Sequence, residues 1–498
     1  MFRRRWSGLP ADPVFPSDFR ELGYFINDVD EIRSIENPDY YFKYYLTKND
    51  RWNERQRFAF NQAVRREIHT RLDAQNFTTI PLPLGTPPTD PHVPIRTTPD
   101  LAAASRVVLL FGESCQPLGV LAHRVIGGRG GITRGSVLGL VAALRGQPSS
   151  AADPSPPGIL LANAGELWWW PEGRCGLTPV DRHRVPMASA VHLGRYHDPK
   201  VNEVAGNGTV GEHVRGVFEA ALRGELVDEK AKLDVIAVGD TAEEVVNYLD
   251  DDEVWKVAGD RLSCMVVLGG CYSFKKFKCE GFKRFVAERA RAYIIHHAHL
   301  DTPVAGPEGS PDTAGFTSYG CPVFSAGAAK ETETMLIEAQ SAVLKWMQEV
   351  AMEGTAYKNA VVEIFGDNDS GATAEESNSW WGVTEEGCNA MDETEARKDA
   401  IGVRGNNKSE ARVQTKDTDR AKGKAEGNIG EVRHNAEGSG ANLEDVPNRR
   451  EAARPVRNGA AGARDFEDHE DKVKTSDGPD AQDLKQLLED IRDLKVQH

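Results

Sequence analysis

Continuous apolar runs that alternate with amphipathic segments are the feature of this sequence that most restricts its fold. Between residues 107 and 350, short apolar runs end in glycine or loop residues, and segments with an apolar residue at every third or fourth position follow them. An uninterrupted apolar run is typical of a strand buried on both faces, whereas the longer period is typical of a helix. The alternation predicts an α/β fold with a mostly parallel sheet flanked by helices.

The apolar pattern also gives approximate positions for each element. The predicted strands span residues 107–111, 158–162, 235–238, 264–268, 292–295 and 323–326, and the predicted helices span residues 136–144, 212–222, 242–249, 282–290 and 337–350. Further towards the N-terminus, the tyrosine-rich stretch 40–46 has strand-like composition. After it, Asn49 or Asp50 is expected to cap a helix. The buried stripe of that helix is Phe60, Val64, Ile68 and Leu72.

Composition divides the 498 residues unevenly. From Gly382 onwards there is no Trp or Tyr and Phe466 is the only aromatic residue, so this part has too little apolar surface to offset the entropy of ordering it. We therefore predict a disordered N-terminus (1–14), a small α+β module (15–80), a linker (81–104), an α/β core (105–365), a disordered charged tail (366–480) and a short amphipathic helix (481–496).

The net charge of −16 makes direct nucleic-acid binding unlikely, because binding phosphate requires clustered Lys and Arg. The arginines at positions 3–5 and 449–464 are typical of solvated flexible segments, with nuclear import as the alternative. The sequence contains no stretch of 18 apolar residues that could span a membrane, and the N-terminus lacks the apolar run of a secretory signal. These features leave the compartment open as cytosol or nucleus.

A candidate catalytic turn follows the third strand of the predicted core. The strand at 235–238 continues into Gly239-Asp-Thr-Ala-Glu243 and then a helix, which is the setting of the G-x-S-x-G nucleophile elbow. In this reading Thr241 occupies the nucleophile position and Glu243 replaces the second glycine. A glutamate there would oppose a developing oxyanion. We therefore expect that catalysis has been lost.

The remaining members of a catalytic triad are also missing from their expected places. Residues 268–273, after the fourth strand, contain no carboxylate, and residues 325–331, after the last strand, contain no histidine. The cluster of His296, His297, His299 and Asp301 has suitable metal ligands, but its spacing matches no standard site. We predict no metal or cofactor and keep His299 and Asp301 as residual catalytic candidates.

Two further motifs suggest binding only weakly. The glycine-rich run 127–131 resembles a phosphate cradle but lacks the Lys-Ser/Thr ending of a P-loop, so a flexible turn is the stronger interpretation. The run Trp168–Trp170 suggests base stacking. Three adjacent indoles cannot all face one side of a strand, however, so we expect at least two of them to be buried.

Several motifs in consistent order resemble the Argonaute-binding (Arb-two) family, a domain of the α/β-hydrolase type that also occurs behind the catalytic domain of fungal class II histone deacetylases. The matching segments are residues 15–27, 49–53, 120–136, 211–214, 300–303 and 321–327. Family members show an Ala-His-Ser-Tyr-Gly-Gly elbow, a Thr-Asp-Ser after the next strand and a His-Glu after Ser-Ala-Gly. In this chain we place Thr241 at the serine, Gly270 near the aspartate and Glu331 at the histidine.

The resemblance implies small-RNA-directed heterochromatin formation and gene silencing, through contact with Argonaute and chromatin proteins in the nucleus. Combined with three altered triad positions, it predicts a non-catalytic interaction scaffold, a pseudo-hydrolase. The first alternative is an active esterase or peptidase that uses Thr241. The second is an RNA-binding protein that uses the basic clusters and Trp168–Trp170.

Overall fold

The computed structural model describes residues 8–99, 101–192, 194–224, 226–311, 313 and 315–362. The predicted tail (366–480) and terminal helix (481–496) lie outside these residues, as do residues 1–7. The structural statements that follow concern the described residues only.

A nine-stranded sheet forms the centre of the described part of the chain. Its strands lie in the order β12-β13-β11-β10-β9-β5-β6-β4-β3. The six strands from β13 to β6 pair in parallel, and antiparallel strands close both edges. The strands of this sheet are β3 (Thr78–Leu82), β4 (Val93–Thr97), β5 (Arg106–Phe111), β6 (Gly158–Leu161), β9 (Lys232–Val238), β10 (Leu262–Leu268), β11 (Ala290–Ile294), β12 (Pro303–Ala305) and β13 (Val323–Ser325).

Helices cover both faces of this sheet. The helices, in chain order, are α1 (Asp50–Asp73), α2 (His123–Ile126), α3 (Gly131–Gly135), α4 (Val137–Arg145), α5 (Asp181–Arg184), α6 (Pro199–Asn202), α7 (Val210–Leu222), α8 (Asp240–Leu249), α9 (Asp252–Ala258), α10 (Glu280–Arg289) and α11 (Thr332–Glu353). One core joins α1, α4 and α11 to Val108 and Leu110 of β5. The other joins α7, α8 and α10 to Val107, Leu109 and Phe111. Because successive strand side chains point to opposite faces, one apolar run contributes to both cores.

The α/β class and the mostly parallel sheet predicted from the sequence are confirmed. Each of the six predicted core strands is present, and so are the five predicted core helices. Asn49 caps α1, and its side chain accepts a hydrogen bond from the Arg51 amide. Ser136 caps α4, and its side chain accepts a hydrogen bond from the Leu138 amide. Since these helices begin at side chains that satisfy free amides, capping signals located them well.

The predicted boundaries at the N-terminal end are wrong. The segment 81–104 is not a linker, because it contains β4, where Val93 and Ile95 are fully buried. Residues 15–80 belong to the same folded unit as the core, since α1 packs into the core of the main sheet and β3 forms an edge of that sheet. The tyrosine-rich stretch 40–46 forms no strand.

The predicted disorder of residues 1–14 is also wrong for its described part. The Asp12 carboxylate accepts hydrogen bonds from Arg55 Nε at 2.8 Å and from the Met187 amide at 2.6 Å. The Ala190 amide donates to the Pro10 carbonyl at 2.9 Å. This segment is therefore held by buried polar contacts, which a reading based on apolar content does not detect.

Two small antiparallel pairs lie outside the main sheet. They are β1 (Tyr24–Ile26) with β2 (Ile32–Ser34), and β7 (Trp168–Trp170) with β8 (Cys175–Leu177). None of the helices within the described residues is long and apolar enough to cross a membrane.

Candidate functional site

A cavity of about 1050 Å³ lies at the carboxyl ends of the central parallel strands. Its wall includes Glu113 after β5, Gly239 after β9 and Gly270 after β10. Parallel strands bring their carboxyl ends to the same edge of a sheet, and ligands of open α/β sheets bind there. The remaining lining residues are Ser114, Cys115, Asp240, Glu243, Asn247, Asp250, Cys271, Tyr272, Ser273, Lys276, Phe277, Lys278 and Thr332.

The sharp turn between β9 and α8 has Gly239 at its apex. Gly239 has φ 65° and ψ −139°, a backbone conformation that residues with a side chain rarely adopt, and α8 begins at the next residue. This strained strand-to-helix position is where hydrolases of this type present the nucleophile. The placement of Thr241 at the nucleophile position is therefore wrong. Thr241 lies inside the first turn of α8, fully buried, and its hydroxyl has no hydrogen-bond partner.

The carboxyl group of Glu113 lies in the space where a nucleophile would be. A Cβ atom added to Gly239 would lie 3.1 Å from Glu113 Cγ and 3.2 Å from its Oε1. Burial, followed by the nearby carboxylate of Glu333 and more weakly by that of Asp240, raises the pKa of Glu113 to about 7. The Cys115 thiol donates a hydrogen bond to this carboxyl, with a distance of 3.6 Å between Sγ and Oε2. Burial and Glu113 also raise the pKa of that thiol, to about 12, so it is a poor nucleophile.

A second carboxylate lies where an oxyanion hole would be expected. In α/β-hydrolases the amide after the nucleophile and an amide from the loop after an earlier strand form this hole. Here these groups are the Asp240 amide and the loop that carries Ser114. The Ser114 amide donates to Asp240 Oδ1 at 3.4 Å, and the Ser114 hydroxyl donates to the other carboxylate oxygen. A fixed negative charge at this point opposes the charge of a tetrahedral intermediate.

The positions predicted for the other two triad members lie beside this turn. A Cβ atom at Gly270 would lie 2.8 Å from the Gly239 carbonyl oxygen, so the backbones are too close for any side chain there. Glu331 immediately precedes α11, and its carboxylate pairs with Arg124 at 2.8 Å. Arg124 also pairs with Glu333, and Gln116 Nε2 donates to Glu333 at 2.7 Å. Neither position supplies the aspartate or the histidine of a triad.

The residual candidates lie away from the cavity. Asp301 accepts a hydrogen bond from the Tyr293 hydroxyl at 2.9 Å and lies 3.7 Å from Arg291. The side chain of His299 is exposed. The rings of His296 and His297 pack together with centroids 4.1 Å apart. No group of three or more His, Cys, Asp or Glu suited to a metal ion occurs in the described part of the chain.

Two histidines, the fully buried His213 and the half-buried His123, have structural roles. His213 is fully buried, with Nδ1 2.8 Å from Asn207 Oδ1 and Nε2 accepting from the Asn163 amide at 3.0 Å. Burial lowers the pKa of His213 to about 3. Burial, reinforced by Arg57, also lowers the pKa of His123 to about 3, and its Nδ1 lies 3.0 Å from Gln116 Oε1. Neither imidazole lines the cavity beside Gly239.

The glycine run and the tryptophan run serve packing. The Gly130 amide donates to the Glu31 carboxylate at 3.3 Å, and a Cβ atom at Gly131 would lie 2.2 Å from the Asp30 carbonyl oxygen. A carboxylate already accepts from the amide of this loop and would repel a phosphate, so the loop is not arranged to bind phosphate. Trp168 and Trp169 are buried, as expected, in two different apolar clusters.

Comparison with known proteins identifies the family of this chain. A model of the Arb2 domain matches residues 15–300, which is more than half of the chain. The chain belongs to the Arb2 domain family. No curated protein matches the sequence of this Arb2 protein.

Similar solved structures are esterases and hydrolases. An arylesterase is 12% identical over 58% of this chain and 98% of its own, with a TM-score of 0.26. The peroxisomal α/β-hydrolase Lpx1 from Saccharomyces cerevisiae is 9% identical over 66% of this chain and 98% of its own, with a TM-score of 0.28. A truncated carbohydrate esterase from gut microbiota is 8% identical over 52% of this chain and 90% of its own, with a TM-score of 0.22. The α/β-hydrolase-like fold assignment rests on strand order and on the turn at Gly239.

Sequence reasoning missed Glu113, which is central to the site. It follows Gly112 directly at the carboxyl end of β5, and in a parallel sheet that edge is where ligands bind. The position of Glu113 after the first predicted core strand was therefore an available signal.

Proposed function

We propose that this Arb2 domain is non-catalytic and acts by binding. The observation that carries the proposal is Gly239 at the apex of the nucleophile turn. A glycine has no side chain to attack a substrate, and the Glu113 carboxyl occupies the adjacent space. A water molecule activated at this point would face the carboxylates of Glu113 and Asp240 rather than donors for an oxyanion.

The loss of the other triad members supports the same conclusion. Gly270 has no room for a carboxylate side chain, and Glu331 is engaged by Arg124. The nucleophile, the base and the orienting acid of a triad act as a unit, so replacement of all three leaves no partial activity that selection could maintain.

The alternative functions find little support in the arrangement of the residues. Hydrolysis by Thr241 would require a fully buried hydroxyl to reach a substrate. Base stacking on Trp168 and Trp169 would require two buried indoles to leave their clusters. The net charge of −16 disfavours RNA further.

Membership of the Arb2 family supports a role in heterochromatin formation. We propose the finer role as well, namely a scaffold for Argonaute and chromatin proteins in small-RNA-directed silencing, located in the nucleus. An α/β domain that has a large surface and no longer turns over a substrate is suited to hold partner proteins together.

A fluorophosphonate probe, which labels activated hydroxyl nucleophiles, tests the catalytic part. We expect no labelling of the wild-type protein under conditions that label an active serine hydrolase. Labelling of the wild type that disappears in Thr241→Ala would refute the proposal. A parallel immunoprecipitation tests the scaffold part, and recovery of neither Argonaute nor a chromatin regulator would contradict it.

A further inference from the structure

A basic patch, formed by Lys275, Lys276, Lys278 and Arg284, lies on α10 and on the loop that precedes it. All four side chains are exposed, and Lys276 and Lys278 also line the cavity beside Gly239. Within the described residues none of the four takes part in an ion pair, because the ion pairs on α10 use other side chains. The basic patch therefore presents four positive charges at and near the cavity.

The chain leaves the described residues beside the same helix. The amide of Asn359 donates to the Glu288 carbonyl at 2.7 Å, and its side chain donates to two more carbonyls at the C-terminal end of α10. Arg284 lies one turn before Glu288 and therefore on the same face of α10. The distance along the helix from Glu288 to Lys278 is about 15 Å, which about five extended residues span. The residues that follow Val362 can therefore reach the basic patch.

The sequence after Val362 has the complementary charge. Residues 363–395 contain ten Asp and Glu residues and no Lys, Arg or His. The acids form two groups of five, in residues 363–376 and 385–395, and the eight residues between these groups are uncharged. The uncharged centre contains Trp380 and Trp381, the last tryptophans of the chain. Tryptophan is enriched among the residues that dominate the binding energy of interfaces, so this segment has the composition of an interaction motif.

The cavity suits the uncharged centre of this segment better than its acidic flanks. Glu113, Asp240 and Asp250 line the cavity and would repel further carboxylates. Phe277 supplies an aromatic wall, and its ring stacks on that of Tyr272 with centroids 5.7 Å apart. The volume of about 1050 Å³ is at the upper end of the range of about 300–1,000 Å³ that is usual for small-molecule sites, so a short peptide stretch fits.

We propose that residues 363–395 bind back onto their own domain, with the acidic flanks on the basic patch and with Trp380 and Trp381 at the cavity. The segment and its binding surface belong to one chain, so the contact forms at a high effective concentration and needs little intrinsic affinity. A partner protein that binds at the cavity has to displace the segment, which makes the segment autoinhibitory. The contact does not depend on whether the site beside Gly239 is catalytic.

Disulfide trapping on the full chain tests the proposal, because Cys388 belongs to the segment while Cys271 and Cys115 line the cavity. The fully reduced protein is exposed to glutathione disulfide, which takes up the two electrons and the two thiol protons and leaves as two molecules of glutathione. We expect peptide mapping by mass spectrometry to show Cys388 joined to Cys271 or to Cys115 within one chain. Raising the salt concentration from about 0.1 M to about 1 M should slow the reaction, because the Debye length falls from about 10 Å to about 3 Å.

Two charge-reversal variants localise the contact. Lys276→Glu/Lys278→Glu is expected to slow disulfide formation about fivefold, since it replaces two attractive charges with two repulsive ones. Lys200→Glu/Lys230→Glu makes the same change of charge at two exposed lysines outside the cavity and should leave the rate unchanged. All four side chains are exposed, so both variants are expected to fold.

Hydrogen exchange provides a second readout that does not depend on cysteine. The amides of residues 271–278 should exchange about fivefold faster in Trp380→Ala/Trp381→Ala than in the wild-type chain. Equal rates of disulfide formation in the two charge variants would overturn the proposal, and so would a Cys388 disulfide that forms only between two chains, no disulfide to either cavity cysteine, or unchanged hydrogen exchange. These outcomes leave the non-catalytic assignment intact, because probe labelling tests it separately.

Discussion

Gly239 is the residue on which the proposed loss of catalysis depends, and replacing it with alanine measures how strongly the turn requires glycine. A residue with a Cβ atom in this strained conformation costs about 1–3 kcal/mol. The new methyl group would also lie 3.1 Å from Glu113 Cγ, so Glu113 has to leave its preferred rotamer at a cost of about 0.5–1.5 kcal/mol. We expect Gly239→Ala to lower the free energy of unfolding by about 2–4 kcal/mol.

Gly206 provides a matched control for the backbone contribution alone. It has φ +70°, and a Cβ atom there would meet nothing within 4 Å. Gly206→Ala should therefore cost only the left-handed backbone penalty, about 1–2 kcal/mol. Urea unfolding of both variants measures the difference, and adding Glu113→Ala to Gly239→Ala should recover about 1 kcal/mol. If Gly239→Ala costs no more than Gly206→Ala, the assignment of the crowded apex to Gly239 is wrong.

Three further predictions concern buried charge. The pKa of Glu113 is about 7 in the folded state and 4.5 ordinarily, so between these pH values the folded state holds a proton that the unfolded chain has lost. The free energy of unfolding therefore falls by up to roughly 3 kcal/mol as pH rises from 4.5 to 7. Chemical unfolding of Glu113→Gln should show no such pH dependence. His213 acts in the opposite direction, because its pKa of about 3 in the folded state lowers the free energy of unfolding as pH falls below 6.5. His213→Ala should lower the free energy of unfolding by about 3 kcal/mol at pH 7. In thermal melts the variant should be less sensitive to acid than the wild type. Asp234→Ala leaves the buried guanidinium of Arg106 without its carboxylate partner at 2.6 Å and should cost about 3–5 kcal/mol in urea unfolding, whereas a loss below 1 kcal/mol would show that Arg106 finds another partner.

The central elements could be predicted because their sequence pattern has one physical cause. From Val107 to Phe111 the β5 segment is apolar at every position, because both of its faces are covered. The strands β3 and β4 were missed because proline interrupts them. Pro81 and Pro94 lie opposite each other in this pair. Near the edge of a sheet a proline is tolerated, since the missing amide is not needed by a further strand.

The site could be predicted only in part, because backbone geometry decides which residue stands at the apex. The sequence places the strand-to-helix turn after β9 correctly, but counting G-x-S-x-G from Gly239 assigns the nucleophile position to Thr241. The strain at Gly239 shows that the glycine is itself the apex. Glu113 belongs to a different strand end, and its approach to Gly239 depends on the pairing of β5 with β9, which no local pattern contains.

This chain treats its buried acids in two different ways, and the contrast favours a function for the cavity. Asp234 is fully buried and is compensated by Arg106. Glu113 is also largely removed from solvent, yet the other acids nearby, Glu333 and Asp240, increase its charge burden. A chain that had only to fold would gain stability from glutamine at this position, because an uncompensated buried carboxylate is costly. Departures from the rules of stable folding concentrate at functional sites, so the raised pKa of Glu113 marks the cavity beside Gly239 as the place where a function of this domain is to be sought.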